Sequence, residues 1–250
     1  VAGNWKMEFS KAEAESYCDQ LRQELERAAR QRASAGPRVV LFPSFPLISC
    51  VGRMLAGSSI EIGAQDVHPA ERGAHTGDVS ARQLLSVGCL WTLCGHSERR
   101  RDHGESDELI ARKVAAAAAY GLTPLLCVGE TLEERRAGAT LAVLERQVRG
   151  GLDSHPGRGV PLVVAYEPVW AIGTGLTPSA EEVQKTHQFL RREVCALMGA
   201  DAGTVTLLYG GSVKPENAPS LIAQPDVDGF LVGGASLDPR QFLAIIACSG

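Results

Sequence analysis

No run of 18 apolar residues occurs in this 250-residue chain, so the sequence offers no membrane-spanning helix. The first residues lead straight into Gly3-Asn-Trp-Lys6. With no basic segment and apolar block ahead of them, no secretory leader is expected. Long blocks of like charge are missing as well. The net charge is −4, from 25 Lys and Arg against 29 Asp and Glu. Without a basic stripe, nucleic-acid binding is not expected. An anionic ligand must be drawn by local donors rather than by the overall field. The seven cysteines are odd in number and scattered, with no Cys-x-x-Cys pair. Several lie in apolar runs, such as Leu125-Leu-Cys127. They are expected to be reduced core thiols of a cytoplasmic protein, not a disulfide framework or a zinc site. The six histidines lack a His-x-x-x-His spacing, and no metal is expected.

What the chain has is rhythm. Short apolar runs alternate with longer helical stretches. The runs are Val39–Phe42, Ile60–Ile62, Leu90–Leu93, Leu125–Val128, Leu162–Ala165, Val205–Tyr209 and Phe230–Val232, after a short one from Val1 to Asn4. Each is apolar on both faces, as in a parallel sheet covered by helices. Helices are predicted over Lys11 to Arg32, from Ser106 to Gly121, over Thr131 to Gln147, over Ser179 to Met198 and from about Pro239 to Ala247. Ser106 suits an N-cap and Gly121 a C-terminal stop. Eight strand–helix alternations in about 250 residues predict a (β/α)8 barrel, a single α/β domain over residues 1–250. The rival is an open doubly wound sheet. It usually carries Gly-x-Gly-x-x-Gly after its first strand, and here Trp5-Lys-Met-Glu8 stands in that place.

In such a barrel, function gathers at the C-terminal strand ends. Asn4 and Lys6 close the first strand, His96 and Glu98 follow the fourth, and Glu130 follows the fifth. Glu167 follows the sixth, Gly210-Gly-Ser212 the seventh, and Gly233-Gly234 the eighth. A carboxylate without a nucleophilic Ser or Cys beside it points to proton abstraction. An imidazole and an ammonium can stabilise the oxyanion formed when a proton leaves carbon beside a carbonyl. Glycine-rich turns after strands seven and eight can offer backbone N–H groups to a phosphate. Enediolate isomerisation of a small phosphorylated sugar is the reaction class these types imply.

The chain resembles the triosephosphate isomerase family. The matching motifs are Gly3-Asn-Trp-Lys-Met7, Gly95-His-Ser-Glu-Arg-Arg100, Gly104-Glu-Ser-Asp-Glu108, Cys127-Val-Gly-Glu130, Ala165 to Gly175, Tyr209-Gly-Gly-Ser-Val213 and Gly229 to Ser236. They run in order through nearly the whole chain. The resemblance implies a TIM barrel, Glu167 as general base, His96 as electrophile and Lys6 as stabiliser of the enediolate. It implies that Asn4 orients the substrate and that Gly173, Ser212, Gly233 and Gly234 hold its phosphate. Glu98 is implied to support Lys6. A closing lid is implied from Pro168 to Pro178, with Pro168, Val169, Trp170, Ala171, Ile172, Gly173, Thr174 and Gly175 at its head. No cofactor and no metal are implied. A homodimer is, in which the loop from Gln65 to Val79 enters the neighbour and Thr76 sits near its active centre.

The chain departs from the family pattern at His75, Asp78, Leu176 and Glu8-Phe9. Asp78 is a shortened carboxylate that could reach across the interface to an arginine such as Arg99. These departures leave room for a paralogue acting on a four-carbon tetrulose phosphate; a non-catalytic phosphate-binding barrel is a separate alternative, against which the set Lys6, His96 and Glu167 argues.

Overall fold

The computed structural model describes residues 1–29, 36–155, 157, 160–173, 176–199 and 205–250. Eight strands are found among them: β1 Ala2–Asn4, β2 Val39–Phe42, β3 Ile60–Ala64, β4 Trp91–Cys94, β5 Thr123–Val128, β6 Val163–Tyr166, β7 Thr206–Tyr209 and β8 Gly229–Val232. They pair in chain order, every pair parallel, and β8 closes on β1 through Ala2 with Leu231 and Gly3 with Val232. The predicted (β/α)8 barrel is what forms.

Alternation along each strand builds two cores. Val40, Phe42, Leu93, Leu125 and Leu208 fill the barrel, while Val39, Leu41, Leu126 and Leu207 pack outward under the helices. Both faces are therefore buried, which is why the strands read as continuous apolar runs.

The outer helices are α1 Lys11–Ala29, α2 Ile48–Met54, α3 Ala81–Ser86, α4 Ser97–His103 and α5 Asp107–Ala119, then α6 Leu132–Arg136, α7 Thr140–Leu152, α8 Ala180–Met198, α9 Ala218–Ile222 and α10 Pro239–Cys248. Ser106 caps α5 as expected. Ser179 and Thr131 each complete a capping box, with Glu182 and Glu134. The end of the first predicted helix, Arg30 to Arg32, lies outside the described residues. One prediction is corrected. The stretch from Thr131 to Gln147 is not one helix but two, α6 and α7. Gly138 at φ 70 separates them, a left-handed turn that a continuous helix cannot contain.

Candidate active site

Parallel strands of a closed barrel end on one rim, so residues distant in sequence meet there. β1 brings Asn4 and then Lys6, whose φ of 52 lies in the left-handed region. Such backbone persists only where its surroundings over-determine it. Three bonds do so. The Lys6 N–H donates to Asn4 Oδ1 at 3.0 Å, the Lys6 carbonyl accepts from Gln65 Nε2 at 2.7 Å, and Nζ meets Glu98 Oε1 at 2.5 Å. Glu98 thus pairs with Lys6.

β4 hands the chain to Gly95, at φ 72, and then to His96, the N-cap of α4. His96 Nδ1 accepts from the Glu98 N–H at 3.3 Å. A ring nitrogen that accepts carries no proton, so this network assigns the neutral ring as the Nε2–H tautomer. Nε2 lies 2.9 Å from Glu167 Oε1. β6 delivers Glu167, only 2% exposed. Its Oε2 accepts from the Ser97 N–H at 3.2 Å. Two glycines make room for it. A Cβ on Gly210 would lie 2.9 Å from Glu167 Cγ, and one on Gly129 1.7 Å from the Glu167 carbonyl oxygen.

Electrostatics bind this pair. Burial raises the Glu167 pKa, but the His96 ring, the Ser97 N–H and Lys6 pull it down further, and the net direction is down. For His96, burial acts downward and the Glu167 carboxylate upward, with a net rise. That rise depends on carboxylate contact. A ligand seated between the two removes it. Burial, the donated Glu98 N–H and the Lys6 charge then favour the neutral ring, opposed by the Glu98 carboxylate 3.7 Å from Nδ1.

A cavity of about 560 Å³ gathers the predicted groups: Asn4, Lys6, His96, Glu167, Gly173, Ser212, Gly233 and Gly234 all line it. A larger cavity, about 710 Å³, opens where strands begin, beside Ala2, Thr123 and Thr206. It has the greater volume but holds no such acid–base set, so the smaller cavity is the candidate site.

Beyond Glu167, the segment expected to form a lid starts with Pro168 and a 3-10 turn over Val169–Ala171. Its root is anchored on Glu130, which is fully buried. The Val169 N–H donates to the Glu130 carbonyl at 3.1 Å, and Trp170 Nε1 donates to Glu130 Oε1 at 2.9 Å. The Arg135 guanidinium lies 4.2 Å from the Trp170 ring centre. Ile172 and Gly173 reach the cavity. Thr174 and Gly175 lie outside the described residues.

Thr76 stands apart. Residues 71–78 are all exposed, and Thr76 does not line the cavity of its own chain. Within the chain, Arg99 is held by Asp66 at 2.9 Å and Glu105 at 2.6 Å, while Asp78 lies 3.7 Å from His68 Nε2. Among the described residues, His68, His75 and Asp78 are the one trio spaced to hold a metal ion. The chemistry fits poorly. His68 Nδ1 accepts from the Ala70 N–H at 3.1 Å, so the neutral ring carries its proton on Nε2, the nitrogen facing Asp78.

Sequence reasoning passed over three supports: the Ser97 N–H, Gln65 and Gly129. Ser97 and Gly129 sat inside quoted motifs, but nothing in the sequence shows which donor meets which acceptor.

The fold and this mouth define a (β/α)8 barrel with an acid–base site on its C-terminal rim. The family model described as triosephosphate isomerase matches residues 1–249. Over 249 residues the chain is 47% identical to the triosephosphate isomerase of Granulibacter bethesdensis, covering 100% of this chain and 98% of that one. It is 46% identical over 250 residues to that of Xanthobacter flavus, covering 100% and 97%, and 48% identical over 246 residues to that of an Azoarcus species, covering 98% and 96%. The chain belongs to the triosephosphate isomerase family, whose members are aldose–ketose isomerases acting on a phosphorylated sugar.

Proposed function

We propose that the chain interconverts dihydroxyacetone phosphate and D-glyceraldehyde 3-phosphate, serving glycolysis and gluconeogenesis. One observation carries this reading: the Glu167 carboxylate lies 2.9 Å from His96 Nε2 in the cavity that Lys6 also lines. Glu167 takes a proton from the carbon beside the carbonyl. His96 Nε2–H donates to the oxygen on which charge develops, and Lys6 offsets the remaining negative charge. Glu167, now protonated, returns the proton to the adjacent carbon, while His96 Nε2, having given its proton to the former carbonyl oxygen, takes the hydroxyl proton from the neighbouring oxygen, so both protons have moved and the residues end as they began. Asn4 orients the sugar oxygens. Backbone N–H groups at Gly173, Ser212, Gly233 and Gly234 hold the phosphate. The lid from Pro168 to Pro178 excludes water, which protects the enediolate and strengthens each of these interactions. One base serves both carbons, so the scheme calls for no cofactor.

The chain works as a homodimer in this reading, with Thr76 of each subunit at the partner's mouth. The exposure of residues 71–78, and of Met7 at 95%, supports it. Cytoplasmic location is supported by seven cysteines that are all free thiols. Among the described residues no helix is long and apolar enough to cross a membrane. Neither a membrane nor a nucleic acid enters this reading.

The test is a coupled assay with triose and tetrulose phosphates side by side, on wild type and Glu167→Asp. The triose is expected to win in kcat/KM; one extra carbon in a pocket shifts discrimination by roughly 10–200-fold. Shortening the base should lower kcat by about 10²-fold, the usual loss for a misplacement near 1 Å. A preference for the tetrulose would point to the paralogous activity. No turnover by the wild type, with inorganic phosphate bound equally well by wild type and the Asp variant, would point to a barrel that only binds phosphate.

A further inference from the structure

We infer that Gln147 is a positioning residue for Glu167, clamping the Gly129 peptide against which the base is seated. The inference rests on the isomerase reading above. Gln147 stands on α7 and is 5% exposed. Its amide makes two bonds to a single residue. Oε1 accepts from the Gly129 N–H at 2.7 Å, and Nε2 donates to the Gly129 carbonyl at 3.1 Å. The register of β4 with β5 ends at Cys94 and Leu126. Gly129 lies beyond that ladder, and its two backbone groups take their partners from a side chain.

Glu167 leans on the same peptide. The Glu167 N–H donates to the Val128 carbonyl at 2.7 Å, and the Val169 N–H donates to the Glu130 carbonyl at 3.1 Å. The Glu167 carbonyl occupies the space a Gly129 side chain would need, 1.7 Å from an ideal Cβ. Residues 128–130 are thus the seat for both the base and the lid root, and Gln147 fixes the centre of that seat. Loss of the amide would leave a buried donor and a buried acceptor unpaired. The peptide would shift to recover partners, and Glu167 would shift with it.

The experiment is steady-state kinetics on triose phosphate for wild type, Gln147→Met and Gln147→Glu between pH 5.5 and 8, with thermal unfolding of each. Methionine keeps the length and removes both hydrogen bonds. Its kcat should fall about tenfold or more, since a displacement near 1 Å costs ~10²-fold. KM should change less than kcat, because Ser212, Gly233 and Gly234, three of the four groups assigned to the phosphate, follow other strands. Glutamate accepts from the Gly129 N–H, but as a carboxylate it faces the Gly129 carbonyl without a proton to donate. Its kcat relative to wild type should recover as pH falls and the carboxyl gains that proton.

A kcat for Gln147→Met within twofold of wild type overturns the inference. So does a deficit in Gln147→Glu that is the same at every pH. If the Met variant fails to fold, the near-isosteric Glu variant decides through its pH profile. A wild type inactive on triose phosphate overturns the isomerase reading itself, and the inference falls with it. An active wild type beside an unimpaired Met variant overturns the inference alone.

Discussion

Burial acts in opposite company on two histidines of this barrel. His96 is 5% exposed but touches the Glu167 carboxylate, which favours its charged form. His187 on α8 is fully buried, with Nδ1 3.0 Å from the Asp226 carbonyl and the rings of Tyr166 and Tyr209 beside it. Desolvation dominates there, against the weaker Asp226 backbone bond, and lowers its pKa from 6.5 to about 4. Between those values the unfolded chain binds a proton that the native protein refuses, so stability is lost as pH falls through this window. The loss is on the order of 3 kcal/mol. Urea unfolding at pH 7 and pH 4.5 should therefore show a larger drop for wild type than for His187→Gln, and equal drops would refute the assignment. At this scale the residues that line the candidate cavity were legible because polar groups stood out at the ends of apolar runs: Lys6, His96 and Glu167 each follow a strand end. Ser97, Gln65 and Gln147 were not. Each acts through one bond or two whose partner lies far along the chain, and hydrophobic periodicity carries no trace of such a bond.

The strands were readable as elements because their two buried faces leave no polar interruption. Their bounds moved by a residue or two, as where Leu90 stays out of β4 and Tyr166 joins β6. The helix caps were readable where Ser106 and Ser179 precede acidic first turns. The break between α6 and α7 was missed because good helix formers flank Gly138, and a lone glycine costs only ~1 kcal/mol in a helix. The long loop after β3 is the element on which the quaternary proposal rests. It spends exposed chain from Glu71 to Asp78 without covering its own core. Sedimentation equilibrium should return about twice the chain mass of 26.5 kDa. A single-chain mass at micromolar concentration would remove the loop's assigned role.

For the molecule as a whole, topology does the gathering. A closed parallel barrel in chain order puts eight strand ends on one rim, so an alternating sequence was enough to foretell that the ammonium, imidazole and carboxylate share a mouth. What strand order could not tell was their spacing, or that Glu167 and His96 already touch. The central claim is that one carboxylate carries a carbon-bound proton between neighbouring carbons. It is tested most directly by isomerising dihydroxyacetone phosphate in D₂O and reading the product by proton NMR. A base whose captured proton exchanges with solvent places deuterium on C2 of the glyceraldehyde 3-phosphate. A Glu167→Gln variant that placed deuterium on C2 as fast as the wild type would mean that another group carries the proton, and Glu167 would not be the base described here.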